Sequence, residues 1–127
     1  MGYDIDIVNQ EGAILEAKSN HGIEGSTFVL GGTTKLEFAM TYNYSNIMSL
    51  TPLGSASNLQ EQRVADTIQD ISNSVAFIVK TYPTEWAKNP NDYWKSCPYN
   101  VKAALEALMQ LALLGIEIDP ECKWSIS

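Results

Sequence analysis

Residues 35–42 read Lys35-Leu36-Glu37-Phe38-Ala39-Met40-Thr41-Tyr42. In an extended chain Leu36, Phe38, Met40 and Tyr42 fall on one side, and Lys35, Glu37, Ala39 and Thr41 on the other. An alternation this long is out of phase with a 3.6-residue helix, so the stretch predicts a strand with one buried and one wet face. It anchors a sheet.

Working back from that strand, Gly31-Gly32 follows the β-branched and aromatic run Thr27-Phe28-Val29-Leu30. Two such runs joined by a glycine pair predict a tight hairpin whose turn needs positive φ. Near the start, Tyr3, Ile5 and Ile7 alternate with Asp4 and Asp6, a second half-wet strand. Aspartates on one face suit a strand at a sheet edge, where charge discourages pairing with another chain. Glu11-Gly12 marks a turn, Ala13 to Ala17 a weaker strand, and Ser19-Asn20-His21-Gly22 a loop.

Working forward, the pattern is lost from Asn46 to Ser57, a connection between the strand half and a helical half. Val64, Ile68, Ile71, Val75 and Ile78 then recur at spacings of three and four, one face of a helix. Pro83 and Pro90 bracket a break, and Pro98 suits the first turn of a second helix. Val101, Ala104, Leu105, Leu108, Leu111 and Ala112 form its apolar stripe, with Gly115 as the expected stop and Ile116 as its hydrophobic companion. Asp119-Pro120 turns the chain, and Trp124-Ser125-Ile126 alternates like a short last strand. The expected order is β-β-β-β-α-α-β: a single α+β domain over residues 1–127, its antiparallel sheet of about four to five strands carrying two helices on one face.

A chain of 127 residues with 45% hydrophobic side chains is large enough to fold around one core. The net charge of −7 is spread along it, −4 in the first 56 residues and −3 in the rest. Such a field repels a phosphate backbone and an anionic membrane surface, and favours a basic partner. The chain opens Met-Gly-Tyr-Asp, without the basic and apolar run of a secretory leader, and holds no apolar stretch long enough to span a bilayer. A cytoplasmic protein with Cys97 and Cys122 as reduced thiols is expected.

The residues that carry chemistry are few. His21 is the sole histidine, and no nucleophile stands at a spacing that pairs with it. His21 with two distant cysteines does not make a metal site, and no calcium loop is present, so neither metal nor cofactor is expected. Gly31-Gly32-Thr33-Thr34 lacks the helix and lysine of a phosphate loop. The aromatic set is more informative: Tyr42-Asn43-Tyr44 ends the best strand, Trp86 lies in the proline-bounded break, and Tyr93-Trp94 precedes the second helix. Tyrosine and tryptophan join an apolar body to a polar tip, which suits either the seam between sheet and helices or a contact surface. Tyr42, Asn43, Tyr44, Tyr93 and Trp94 are the candidate binding residues.

Glu24-Gly25-Ser26-Thr27, Gly31-Gly32-Thr33, Thr41-Tyr42-Asn43-Tyr44, Asp92-Tyr93-Trp94 with Pro98 and Asn100, and Trp124 occur in this order along the chain. In them the chain resembles a group of small uncharacterised proteins of bacteria and their phages. It departs from that pattern at Ser26 and Tyr99, where the group has glycine. The resemblance implies neither an enzyme nor a known ligand. It implies a mobile-element context, and with it a protein that interferes with host machinery.

Together these point to a non-catalytic interaction protein that binds a host protein through an acidic surface with aromatic anchors. A basic nucleic-acid-binding enzyme is the partner class this favours, as for an anti-defence inhibitor such as an anti-CRISPR. One alternative is a sponge for a signalling nucleotide, with Tyr42, Tyr44, Tyr93 and Trp94 stacking the base and the Gly31, Gly32 and Thr33 amides meeting a phosphate. Another is an enzyme of unrecognised type using Asp92 or His21. A homo-oligomer is compatible with an open sheet edge.

Overall fold

The computed structural model describes residues 2–23, 34–83 and 95–127. Within them the chain is an α+β protein with a three-stranded antiparallel sheet. Strand β1 spans Gly2–Val8, β2 Glu37–Thr41 and β3 Lys123–Ile126, in the order β2-β1-β3. Helices α1, α2 and α3 span Ser45–Met48, Ile68–Thr81 and Pro98–Ile118. Thr27–Leu30 and its glycine hairpin lie outside the described residues, so the sheet has three strands here against the four to five expected.

The strand alternations place their apolar sides inward. Ile5 and Ile7 of β1, Phe38 and Met40 of β2 and Trp124 of β3 are buried with Leu36, while Asp4 is exposed and Asp6 and Glu37 are half-buried. The first strand is central, hydrogen-bonded on both sides, which overturns the expectation that Asp4 and Asp6 guard a sheet edge. Sheet order is a long-range property that local alternation does not carry.

Ala13 to Ala17 does not form a continuous strand. Its Ile14 bridges Val8 and its Glu16 bridges Lys35, so its ladder is divided between the end of β1 and the approach to β2. Three backbone groups close a ring there: Ile7 N–H donates to Leu36 O (3.0 Å), Leu36 N–H to Leu15 O (2.9 Å), and Leu15 N–H to Ile7 O (2.9 Å). A segment shared in this way satisfies its polar groups without a ladder of its own.

The far edge of β3 is also covered. Trp124 N–H donates to Gln62 O (3.0 Å), Glu61 N–H to Trp124 O (3.1 Å) and Val64 N–H to Cys122 O (2.9 Å). Residues 60–64 thus run beside β3, bridged at Arg63 and Lys123, before entering the first long helix.

That helix begins with a single 3-10 turn at Val64–Thr67. Val64, Ile71 and Ile78 are fully buried as their spacing requires, but Ile68 and Val75 are only partly covered. Thr67 and Ser74 take the remaining inward positions, and both are satisfied. Thr67 Oγ1 donates to Val64 O (2.7 Å), and Ser74 Oγ donates to Asp70 O (2.7 Å) while accepting from Leu53 N–H (2.9 Å). The last bond pins the 46–57 connection to α2. The stretch 45–59 that contains this connection is more than a loop: it holds α1 and a 3-10 turn at Ala56–Leu59, and Met48, Leu53, Ala56 and Leu59 join the core.

Helix α3 opens with Pro98 behind an extended Cys97, and all six residues of its expected stripe are fully buried. It does not stop at Gly115 but runs on to Ile118. A side chain at Gly115 would put its Cβ 3.1 Å from two methyl carbons of Ile7 and 3.3 Å from Cys122 Sγ, so the glycine sets how closely α3 approaches the sheet. The helix ends at Asp119, whose extended backbone is the conformation favoured before Pro120. Asp119 then shapes the return to β3, its Oδ1 accepting from Glu121 N–H and its carbonyl from Cys122 N–H, both at 3.0 Å.

Candidate functional site

The strand β2 ends at Thr41, still paired with Gly2, and the Thr41 Oγ1 accepts from Asn43 N–H (3.2 Å), turning Tyr42–Tyr44 into one 3-10 turn. The turn reverses the sidedness that strand alternation assigns. Tyr42, expected on the apolar side, is 45% exposed, whereas Tyr44, expected beyond the strand, is 2% exposed and belongs to the core. Burial, with a smaller contribution from nearby Cys97, pushes the Tyr44 phenol up to about 12. A ring so enclosed is closed to a nucleotide base, which removes one of the four side chains assigned to stacking. Asn43 is exposed beside Tyr42. Tyr93 and Trp94, like Trp86 and Asp92, lie outside the described residues; of the three candidates within them, Tyr42 and Asn43 are at the surface and Tyr44 is not.

Tyr42 has an aromatic neighbour that sequence reasoning did not select. The Tyr3 ring meets it edge-on, centroids 4.7 Å apart and planes at 86°. Tyr3 Oη lies 3.4 Å from Ser55 Oγ, which is 2.8 Å from Ser57 Oγ. An edge-to-face pair held at one rim limits how far the Tyr42 ring can swing.

On its outward face the sheet carries acids. In the antiparallel register Asp6 stands directly opposite Glu37 on one side and Ser125 on the other, and Asp4 stands opposite Ala39. Burial, then the charges of Glu37 and Asp4, raise the Asp6 carboxyl above its ordinary value. Like charges placed directly opposite across strands oppose sheet formation. Glu37 was legible as a wet-face residue, but its pairing with Asp6 was not, because register is set by long-range contacts.

His21 is engaged at both ring nitrogens. Nδ1 accepts from Ile23 N–H (3.1 Å), which leaves the ring proton on Nε2, and Nε2 donates to Lys35 O (2.8 Å). A general base needs an open nitrogen, so this histidine acts as a clip between its loop and the start of β2. Cys97 and Cys122 are both free thiols at opposite ends of α3, which at 21 residues separates them by roughly 30 Å. Burial, then the charge of Asp119, pushes the Cys122 thiol up to about 11, against any nucleophilic role at neutral pH.

Among the described residues, no group of three or more His, Cys, Asp or Glu is placed to hold a metal ion, and no helix is long and apolar enough to cross a membrane. One open groove of about 570 Å³ lies between residues 16–21 and the end of α3. Compared with protein-family models, with curated proteins and with solved structures, the chain shows no match.

Proposed function

We propose that the chain is a non-catalytic interaction protein that binds a basic surface of a host protein through the acidic outer face of its sheet, with Tyr42 as an aromatic anchor at the end of β2. The observation that carries this reading is the opposition of Asp6 and Glu37 on adjacent strands, with Asp4 on the same face. Burial first, and then the charges of Glu37 and Asp4, raise the Asp6 carboxyl, and a bound cationic surface would relieve the part that comes from the like charges. Tyr42, exposed and backed by Tyr3, supplies the apolar contact that charge alone lacks. The acidic face suits a basic host nucleic-acid-binding enzyme, its carboxylates standing where phosphates would, in the mobile-element context that the resemblance implies.

The test is capture from host lysate with wild-type protein and with Asp4→Asn, Asp6→Asn, Glu37→Gln combined. The wild type should retain a basic protein at low salt and release it as ionic strength rises, and the triple variant should not retain it. A complex indifferent to salt and to these substitutions would sink the reading.

A further inference from the structure

Two chain segments far apart in sequence form the groove at the end of α3. One wall is Glu16–His21, held at both ends: Glu16 bridges Lys35, Ala17 N–H donates to Thr34 O (2.8 Å), and His21 clips Ile23 N–H to the Lys35 carbonyl. The other wall is the last turn of α3, with Leu114, Glu117 and Ile118. Ala17, Leu114 and Ile118 supply apolar surface, and Ile118 is 42% exposed.

The charges of that end have an acidic excess. A helix C-terminus carries a partial negative charge, which a lysine or arginine in the last turn commonly offsets. The last turn of α3 has no basic residue and instead contains Glu117, with Glu16 on the facing wall. Among the described residues Lys18 is the one cation lining the groove.

We propose that this groove seats one lysine or arginine side chain of a partner protein, its stem along Ala17, Leu114 and Ile118 and its charged head between Glu16 and Glu117. Long cationic side chains cover apolar surface in this way while keeping the head at a carboxylate. The proposal rests on the reading of the protein as a binder of basic partners, and names where one contact is made. Lys18 opposes the incoming charge, so it tunes the site and does not build it.

The probe is the peptide acetyl-Leu-Arg-Leu-Lys-Leu-amide, titrated at low salt into 15N-labelled protein, with a Gln-for-Arg and Gln-for-Lys analogue as control. Amide shifts should concentrate at residues 16–21 and 114–118, and the neutral analogue should leave them unmoved. Glu16→Gln with Glu117→Gln should weaken binding by about fivefold, the scale of two partly exposed ion pairs, whereas Lys18→Ala should tighten it. Amide dispersion in the same spectra reports whether each variant is folded. Shifts confined to Asp4, Asp6 and Glu37 would overturn the groove while leaving the acidic-face reading intact. Shifts on neither surface, or an affinity indifferent to Glu16, Glu117 and Lys18, would overturn it as well. Loss of lysate capture in the sheet-face variant is a separate result that bears on the broader reading alone.

Discussion

The indole Nε1 of Trp124 donates to Oγ1 of Thr67 at 2.9 Å, both residues with no exposed surface, joining the last strand to the turn that opens α2 across 57 positions of sequence. The Thr67 hydroxyl thus bonds in both directions, since its own proton goes to Val64 O. The bond explains why a polar residue occupies a core position: the largest buried side chain brings an N–H that must find an acceptor.

Removing the acceptor strands that donor. Thr67→Val should destabilise the fold by about 1–3 kcal/mol, the cost of an unsatisfied buried N–H. Trp124→Phe should cost about 2–4 kcal/mol, through the lost bond and the cavity left by the smaller ring. The double variant should cost less than the sum, because phenylalanine has no N–H to strand. Urea unfolding of the four proteins gives the cycle; strict additivity would mean that the bond contributes nothing.

At Gly115 helix α3 passes close over Ile7 of the sheet. Gly115→Ala gains about 1 kcal/mol in helix propensity but drives a methyl against two carbons of a fully buried isoleucine. Overpacking of this kind costs about 1–3 kcal/mol, so the net change should be destabilising by about 1 kcal/mol. Ile7→Val removes Cδ1, one of the two carbons in the way, and should make Gly115→Ala neutral or favourable in its background. Thermal midpoints of the single and double variants decide it, and a stabilised single variant would show that Ile7 yields freely.

The two halves of the fold were unequally legible. The stripe from Val101 to Ala112 is an apolar pattern with a single period in a helix buried along its length, so local periodicity sufficed. For α2 the 3-10 turn advances the chain by three residues per turn instead of 3.6, which rotates Thr67 and Ser74 inward at the expense of Ile68 and Val75. The same geometry exchanged Tyr42 and Tyr44. Gly115 looked like a stop because glycine serves both as helix terminator and as a point of close packing, and sequence does not distinguish them. At the candidate surface, alternation told that Asp4, Asp6 and Glu37 face water, but their neighbourhood depends on the Asp6–Glu37 register. The groove joins residues almost a hundred positions apart, a closeness no local pattern carries.

The two thiols should differ sharply in reactivity. Cys97 is half-buried at the entry to α3, whereas Cys122 is fully buried and its thiol is pushed up to about 11. Native protein treated with an alkylating reagent at mildly alkaline pH should lose one thiol quickly, and peptide mapping should place the label on Cys97. In denaturant both should react at similar rates, since the barrier at Cys122 is burial. Rapid native labelling of Cys122 would mean that the β3 side of the core opens readily.

Asp6 on the sheet face ties stability to pH in a direction opposite to the usual carboxylate. A native carboxyl normally sits below its unfolded value and loses stability on acidification. Asp6 sits above it, chiefly through burial and then through Glu37 and Asp4. Between the unfolded value, about 3.9, and the raised folded one, the native chain binds the proton more readily, so the stability contributed by this group is fully present at acid pH and lost as pH rises. Asp6→Asn keeps the side chain uncharged throughout. At neutral pH the variant should therefore be more stable than wild type by about 0.2–1 kcal/mol, the scale of a cross-strand like-charge pair, and the gap should close near about pH 3. Glu37→Gln removes the largest charge acting on Asp6 and should shrink the gap while leaving Asp6 itself in place. Denaturation midpoints across that range read both effects. The same substitution that stabilises the fold should weaken capture of the basic partner proposed above, and a variant that gained stability without losing affinity would separate this face from the proposed binding surface.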